Sequence, residues 1–242
     1  MLKRKLYSQL MAWKASEKRR AFCIIGARQI GKTTLVREFA RNNYEHFAEI
    51  NFITDPKASD IFQETFDVET IITNLTAYLR QPLEAGRTLI FFDEIQKCPQ
   101  GRTAIKFLVE DGRFDYVESG SLLGVNFQDV PSFPVGFEEI HEMYPMDFEE
   151  FLWAMENNTL MDIVKSCYHA RKPMGQGMHR KAMDYFRQYM IVGGMPQAVL
   201  EYKKTHDFDK VDRIKRDILT LYRADIVKHA EGYEMKVSGI FD

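Results

Sequence analysis

The sequence has little of what marks secreted, membrane-spanning or metal-knuckle proteins. Its 242 residues include three cysteines, Cys23, Cys98 and Cys167. They are too few and too far apart for a disulfide framework or a cysteine zinc site, and a reducing cytoplasm is the expected compartment. No window approaches ~18 uninterrupted apolar residues, so no transmembrane helix is expected. The basic start lacks an apolar core before a small-residue cleavage position, so no signal peptide is expected either. Six scattered histidines form no H-E-x-x-H or i,i+4 pair, which argues against a histidine metal centre. Net charge is nearly absent: 33 basic minus 35 acidic residues gives −2. Coating of nucleic acid through net charge is therefore disfavoured. There is no internal repeat and no low-complexity tract.

What is present is an ordinary globular composition, 45% hydrophobic and 28% charged, enough for a sizeable core in one large domain or two small ones. Local charge is uneven. Residues 1–20 carry seven Lys/Arg against Glu17, and Leu2, Leu6, Leu10 and Trp13 recur at roughly helical spacing, predicting an amphipathic helix. Phe114 to Val164 holds no Lys or Arg and eleven Asp/Glu; Lys165 to Met190 reverses sign, with six Lys/Arg against Asp184. A boundary near residue 157 follows, at the turn-like Asn157-Asn158-Thr159. Short apolar runs at 21–25, 46–52, 88–92 and 114–117, with a weaker fifth at 139–143, alternate with helical patterns. After them, 148–155, 160–168, 178–190, 196–202 and 208–228 all read as helix. The pattern predicts an α/β parallel sheet followed by a helical domain.

Gly26-Ala27-Arg28-Gln29-Ile30-Gly31-Lys32-Thr33 matches G-x-x-x-x-G-K-[ST] between a predicted strand and a predicted helix. Glycines let successive N–H groups turn inward toward phosphate oxygens, and the helix N-terminus adds positive potential. Lys32 is suited to the β- and γ-phosphates and the Thr33 hydroxyl to Mg²⁺. Leu89-Ile90-Phe91-Phe92-Asp93-Glu94 is a buried strand ending in two carboxylates, at the sheet end where ligands sit in open α/β folds. Asp93 is placed to hold Mg²⁺ and Glu94 to polarise an attacking water. Ser119-Gly120-Ser121 ends the fourth strand. If that strand lies between the two motif strands, Ser119 or Ser121 reaches the γ-phosphate or the water.

With these three strand ends in order, the chain resembles AAA+ ATPases, and within them a prokaryotic group that carries a C-terminal domain of unknown function. The segments are Trp13-Lys14, GARQIGKTTLVREFA, LIFFDEIQKCP, ESGSLLG, VGFEEIHEMYPMDFEEFLWA, YMIVGGMPQAV and LYRADIVKHA. The resemblance implies a five-stranded parallel sheet flanked by helices, a helical lid, and ATP with Mg²⁺ bound between them. On this reading 1–157 is the nucleotide-binding core (1–18 its first helix), 158–232 the lid and 233–242 a tail leading to a C-terminal region that is expected to be missing. Phosphate contact is implied from Gly31, Lys32, Thr33 and Thr34 within the loop Gly26–Thr34, with Asp93 for Mg²⁺, Glu94 for water activation and Ser119 as the sensor. AAA+ enzymes often supply an arginine from between the fourth and fifth strands; here that stretch has none, and Arg223 is the best substitute, with Arg28 another.

The leading expectation is a Mg²⁺-dependent ATPase, slow in isolation, that couples hydrolysis to movement of the lid and of an unidentified macromolecular partner, with oligomerisation open. The alternatives are a nucleotide-binding switch or scaffold with negligible turnover, and an ATP-dependent nucleic-acid-binding protein that uses the basic stretches 1–20 and 165–187. A small-molecule kinase ranks below these.

Overall fold

The computed structural model describes residues 2–17, 19–63, 65–121, 134, 136–229 and 239, with backbone alone for 226–229. Of the expected tail 233–242, all but Gly239 lies outside the described residues. Contacts divide the chain into two units, Lys5–Tyr144 and a second made of Met1–Arg4 with Pro145–Asp242. The expected boundary near residue 157 falls inside the second unit.

The first unit is built on β1 (Ala21–Gly26), β2 (His46–Asn51), β3 (Thr88–Asp93), β4 (Asp115–Ser121) and β5 (Glu138–Met143). All pairings are parallel, in the order β2-β3-β4-β1-β5. The strands buried along their whole length, β3 and β4, and the nearly buried β1 are central. The half-exposed β2 and β5 form the edges, as burial on both faces requires of a parallel sheet. β4 is the correction to a purely apolar reading. Its residues Asp115, Glu118, Ser119 and Ser121 are buried, and it runs four residues past the apolar run Phe114–Val117, where Ser119 meets Asp93 on the neighbouring strand.

Helices cover both faces, as crossover connections demand. On one, α1 (Leu6–Lys14) and α2 (Lys32–Asn43) bring Trp13 and Phe39 against the sheet, with Trp13 edge-on to Phe22 at 5.6 Å. On the other, α3 (Val68–Leu79), α4 (Pro99–Asp111) and a 3₁₀ segment, Pro56–Phe62, bury Ile71, Leu75, Ala104, Ile105, Leu108 and Phe62 with Ile90, Phe92 and Tyr116. The 3₁₀ segment stands among the helical patterns that alternate with the strands. Its buried residues Ala58 and Ile61 are three apart, the period of a three-residue turn.

The second unit contains α5 (Phe148–Ala154), α6 (Leu160–Ala170), α7 (Gln176–Val192), α8 (Pro196–Thr205) and α9 (Phe208–His229). Its core joins Met146, Phe151, Val192, Ala198, Val199, Tyr202 and Val211, with Leu2. Leu2 therefore departs from the expected helical stripe: it precedes α1 and packs in this unit, where Arg4 meets Glu150 at 3.1 Å. A capping box of Asp147 and Glu150 starts α5. The two segments that make the resemblance specific touch here. Met146 N donates to Gly194 O at 2.7 Å, and a side chain on Gly194 would come within 2.2 Å of Met146 O. Glycine is needed at 194 by this close approach. Tyr144 is 61% exposed. Among the described residues no helix is long and apolar enough to cross a membrane.

Candidate active site

The loop between β1 and α2 is shaped by backbone that few residues adopt. Gly31 has φ 95° and ψ 25°, a left-handed conformation at the helix start, where glycine meets no Cβ penalty. At the other end a side chain on Gly26 would approach Met143 O to 2.3 Å. Between them Gln29 is also left-handed, with φ 63°. Ile30 is fully buried, so only its backbone faces a ligand. Ala27 and Arg28 are half-buried, and Gln29 and Thr34 are exposed.

α2 starts with no side-chain cap, which leaves its first-turn N–H groups available to an anion. Lys32 turns back over the loop. Its ammonium donates to Gly26 O at 3.0 Å and Ala27 O at 2.8 Å. Burial lowers its pKa, while Glu94 and Asp93 oppose the shift and Arg28 adds to it.

The decisive geometry centres on Asp93, which is 2% exposed at the tip of β3. Its Oδ2 accepts from Thr33 Oγ1 at 2.9 Å and from Asn51 Nδ2 at 2.8 Å, and its Oδ1 accepts from Ser119 Oγ. Three strands and a helix thus meet at one carboxylate, because β4 lies between β1 and β3. The condition on which Ser119 or Ser121 could serve is met, and Ser119 is the one that contacts Asp93. The Thr33 hydroxyl and Asp93 carboxylate are adjacent hard-oxygen donors, a set that suits Mg²⁺.

Glu94 follows in left-handed backbone, φ 59° and ψ 43°, and opens a 3₁₀ turn, Ile95–Lys97. Gln96 Nε2 donates to its Oε2 at 2.5 Å. Arg223 is exposed on α9 in the other unit.

Two residues escaped sequence reasoning. Asn51 ends β2 and is held by its own turn, its Oδ1 accepting from Ile53 N and Thr54 N at 3.0 Å each. That fixes which side of the amide faces Asp93. A lone asparagine carries no spacing signal; its position on the strand beside β3 was the available clue. Gln96 lay in view within D-E-I-Q, where it read as turn polarity.

The strand order, the phosphate loop and the acidic strand tip define a P-loop ATPase of the AAA+ class. A family model described as an AAA domain matches residues 18–152, more than half of the chain, and the chain belongs to that family. A domain of unknown function (DUF8612) matches residues 183–238, from α7 through α9 into the expected tail, which corrects the expectation that a C-terminal domain of unknown function is missing. Two variant forms of RuvB from Thermotoga maritima are similar in structure. One is 20% identical with a TM-score of 0.46, covering 97% of this chain and 70% of that one. The other is 19% identical with a TM-score of 0.45, covering 97% and 69%. No curated protein matches the chain.

Proposed function

We propose that this chain binds ATP with Mg²⁺ and hydrolyses it, with the helical unit as the element that responds to nucleotide state. The observation that carries the reading is the convergence of Thr33, Asn51 and Ser119 on the buried Asp93 carboxylate beside the phosphate loop. Lys32 and the N–H groups of Gly31, Lys32, Thr33 and Thr34 bind the phosphates. Thr33 and Asp93 would hold Mg²⁺, which would supply charge neutralisation to the bound triphosphate. Glu94 takes a proton from the attacking water, and Ser119 orients Asp93. Arg223 is the candidate for stabilising developing charge.

The test is MgATP turnover by the full chain beside Glu94→Gln and Lys32→Ala. Glu94→Gln is expected to keep nucleotide affinity and lose roughly 10²–10⁴ in turnover; Lys32→Ala is expected to lose affinity. ATP binding that survives Lys32→Ala unchanged overturns the site.

One observation favours a second reading, a nucleotide-dependent switch: Phe114 to Val164 contains no Lys or Arg, and a missing arginine finger forfeits about 10³–10⁵ in rate. Wild type and Glu94→Gln equally inert while still binding ATP would select it. The nucleic-acid reading gains no support from the basic start. Arg4 pairs with Glu150, Arg19 with Asp115 and Arg20 with Glu139, and Lys14 donates to Asn43 O. A cytoplasmic site of action and an unidentified macromolecular partner remain part of the proposal.

A further inference from the structure

Resting on the ATPase reading, we propose that Gln96 is the positioning residue that aims Glu94 at the attacking water. The turn that joins them is built, not incidental. Glu94 occupies left-handed backbone, which costs a non-glycine residue roughly 1–2 kcal/mol. It is pinned on the far side by buried Ile95 and Cys98, and by Lys97 N donating to Glu94 O at 3.0 Å and Cys98 N to Ile95 O at 2.9 Å. The result brings the side chains of Glu94 and Gln96 together at the start of the turn.

There the Gln96 amide donates to Glu94 Oε2 at 2.5 Å. A hydrogen bond to an ionised acceptor is short and among the stronger kinds. It holds one carboxylate oxygen, stops the carboxylate rotating, and leaves Oε1 to receive a proton. The other half of the amide, Gln96 Oε1, is buried with no hydrogen-bond partner among the described residues. A buried unsatisfied acceptor is costly and calls for an explanation. That oxygen is closed to solvent, so Gln96 acts on the attacking water only through the Glu94 carboxylate that its Nε2 holds. In the reaction that water's oxygen bonds to the γ-phosphorus, and the bond from that phosphorus to the bridging oxygen breaks. The electron pair leaves with ADP, and the water's proton passes to Glu94. Gln96 exchanges no atoms.

The experiment is a double-mutant cycle on the full chain under single-turnover conditions with enzyme in excess, using wild type, Gln96→Ala, Glu94→Gln and the double variant. Gln96→Asn and Gln96→Glu probe reach and charge. Thermal melting and the Kd for a slowly hydrolysed ATP analogue serve as controls. The expected result is a kcat lowered by roughly 10–100-fold in Gln96→Ala. Analogue Kd and KM should stay within about twofold, and Gln96→Ala should cause no further loss once Glu94 is already glutamine. Gln96→Asn should fail to restore the rate, because it is one methylene short. A kcat unchanged in Gln96→Ala, a loss carried by Kd, or an equal loss in the Glu94→Gln background overturns the proposal. Wild-type turnover no higher than that of Glu94→Gln instead removes the ATPase reading, and the role of Gln96 with it.

Discussion

Glu118 sits in the middle of β4 with no solvent exposure, and neither of its carboxylate oxygens has a hydrogen-bond partner among the described residues. Burial pushes its pKa well above the ordinary carboxylate value, Glu138 pushes it further, and Arg102 opposes both. The groups facing it are Cys23 on β1, Glu138 on β5 and Arg102 on α4, the last two paired at 2.9 Å. Folded Glu118 therefore keeps a proton that the unfolded chain releases above its ordinary pKa. Stability is fully present below that value and falls as pH rises toward the folded pKa, with a slope approaching about 1.4 kcal/mol per pH unit. Glu118→Gln keeps the shape and removes the proton, so its unfolding free energy should depend less on pH between about 5 and 8. Parallel denaturant titrations at several pH values check this; identical slopes for both proteins would show that Glu118 is ionised in the fold. At this scale legibility was split. Lys32, Thr33, Asp93 and Glu94 stand in motifs whose residue types are dictated by phosphate and Mg²⁺ chemistry. Asn51 and Glu118 act through neighbours that only the sheet order supplies, and Gln96 through a turn contact that its motif does not announce.

Elements were legible where periodicity was strong. α7 and α9 lie within two residues of the patterns that predict them, because an apolar stripe marks them. β4 was legible only in part, since the apolar run ends at Val117 and Glu-Ser-Gly-Ser continues the strand; Ser119 meets Asp93 there, and Asp115 meets Arg19 and Tyr44. Gly193-Gly194 suggested a hinge or a simple loop. In the fold Gly194 is a close backbone contact to Met146. Gly194→Ala must displace one backbone segment from the other. We expect a cost on the order of 1–3 kcal/mol and a Tm lowered by roughly 3–10 °C. Calorimetry checks it, and an unchanged Tm would mean that the segments separate without penalty.

The whole chain reads as one family domain followed by helices, and the AAA-domain match ends at residue 152, within α5. That α5 packs with the C-terminal helices and Leu2 was not visible in the sequence, because its contacts are distant along the chain. At this scale the proposed ATPase reading and the lack of basic residues between Phe114 and Val164 together predict a slow rate. In isolation we expect turnover on the order of 10⁻⁴–10⁻² s⁻¹, the range of P-loop enzymes without a supplied finger or with one in cis. Phosphate release at several protein concentrations checks it. A rate that climbs with concentration and vanishes in Arg223→Ala would instead show that a neighbouring subunit completes the site.

The hold of Lys32 on the Gly26 and Ala27 carbonyls makes the loop a latch fastened by its own key. An arriving anion must draw that ammonium away from two oxygens before gaining its full attraction. A singly charged visitor has little with which to do so, whereas a triphosphate brings several charges at once. On the proposed reading, these two hydrogen bonds favour highly charged ligands ahead of any contact with the base.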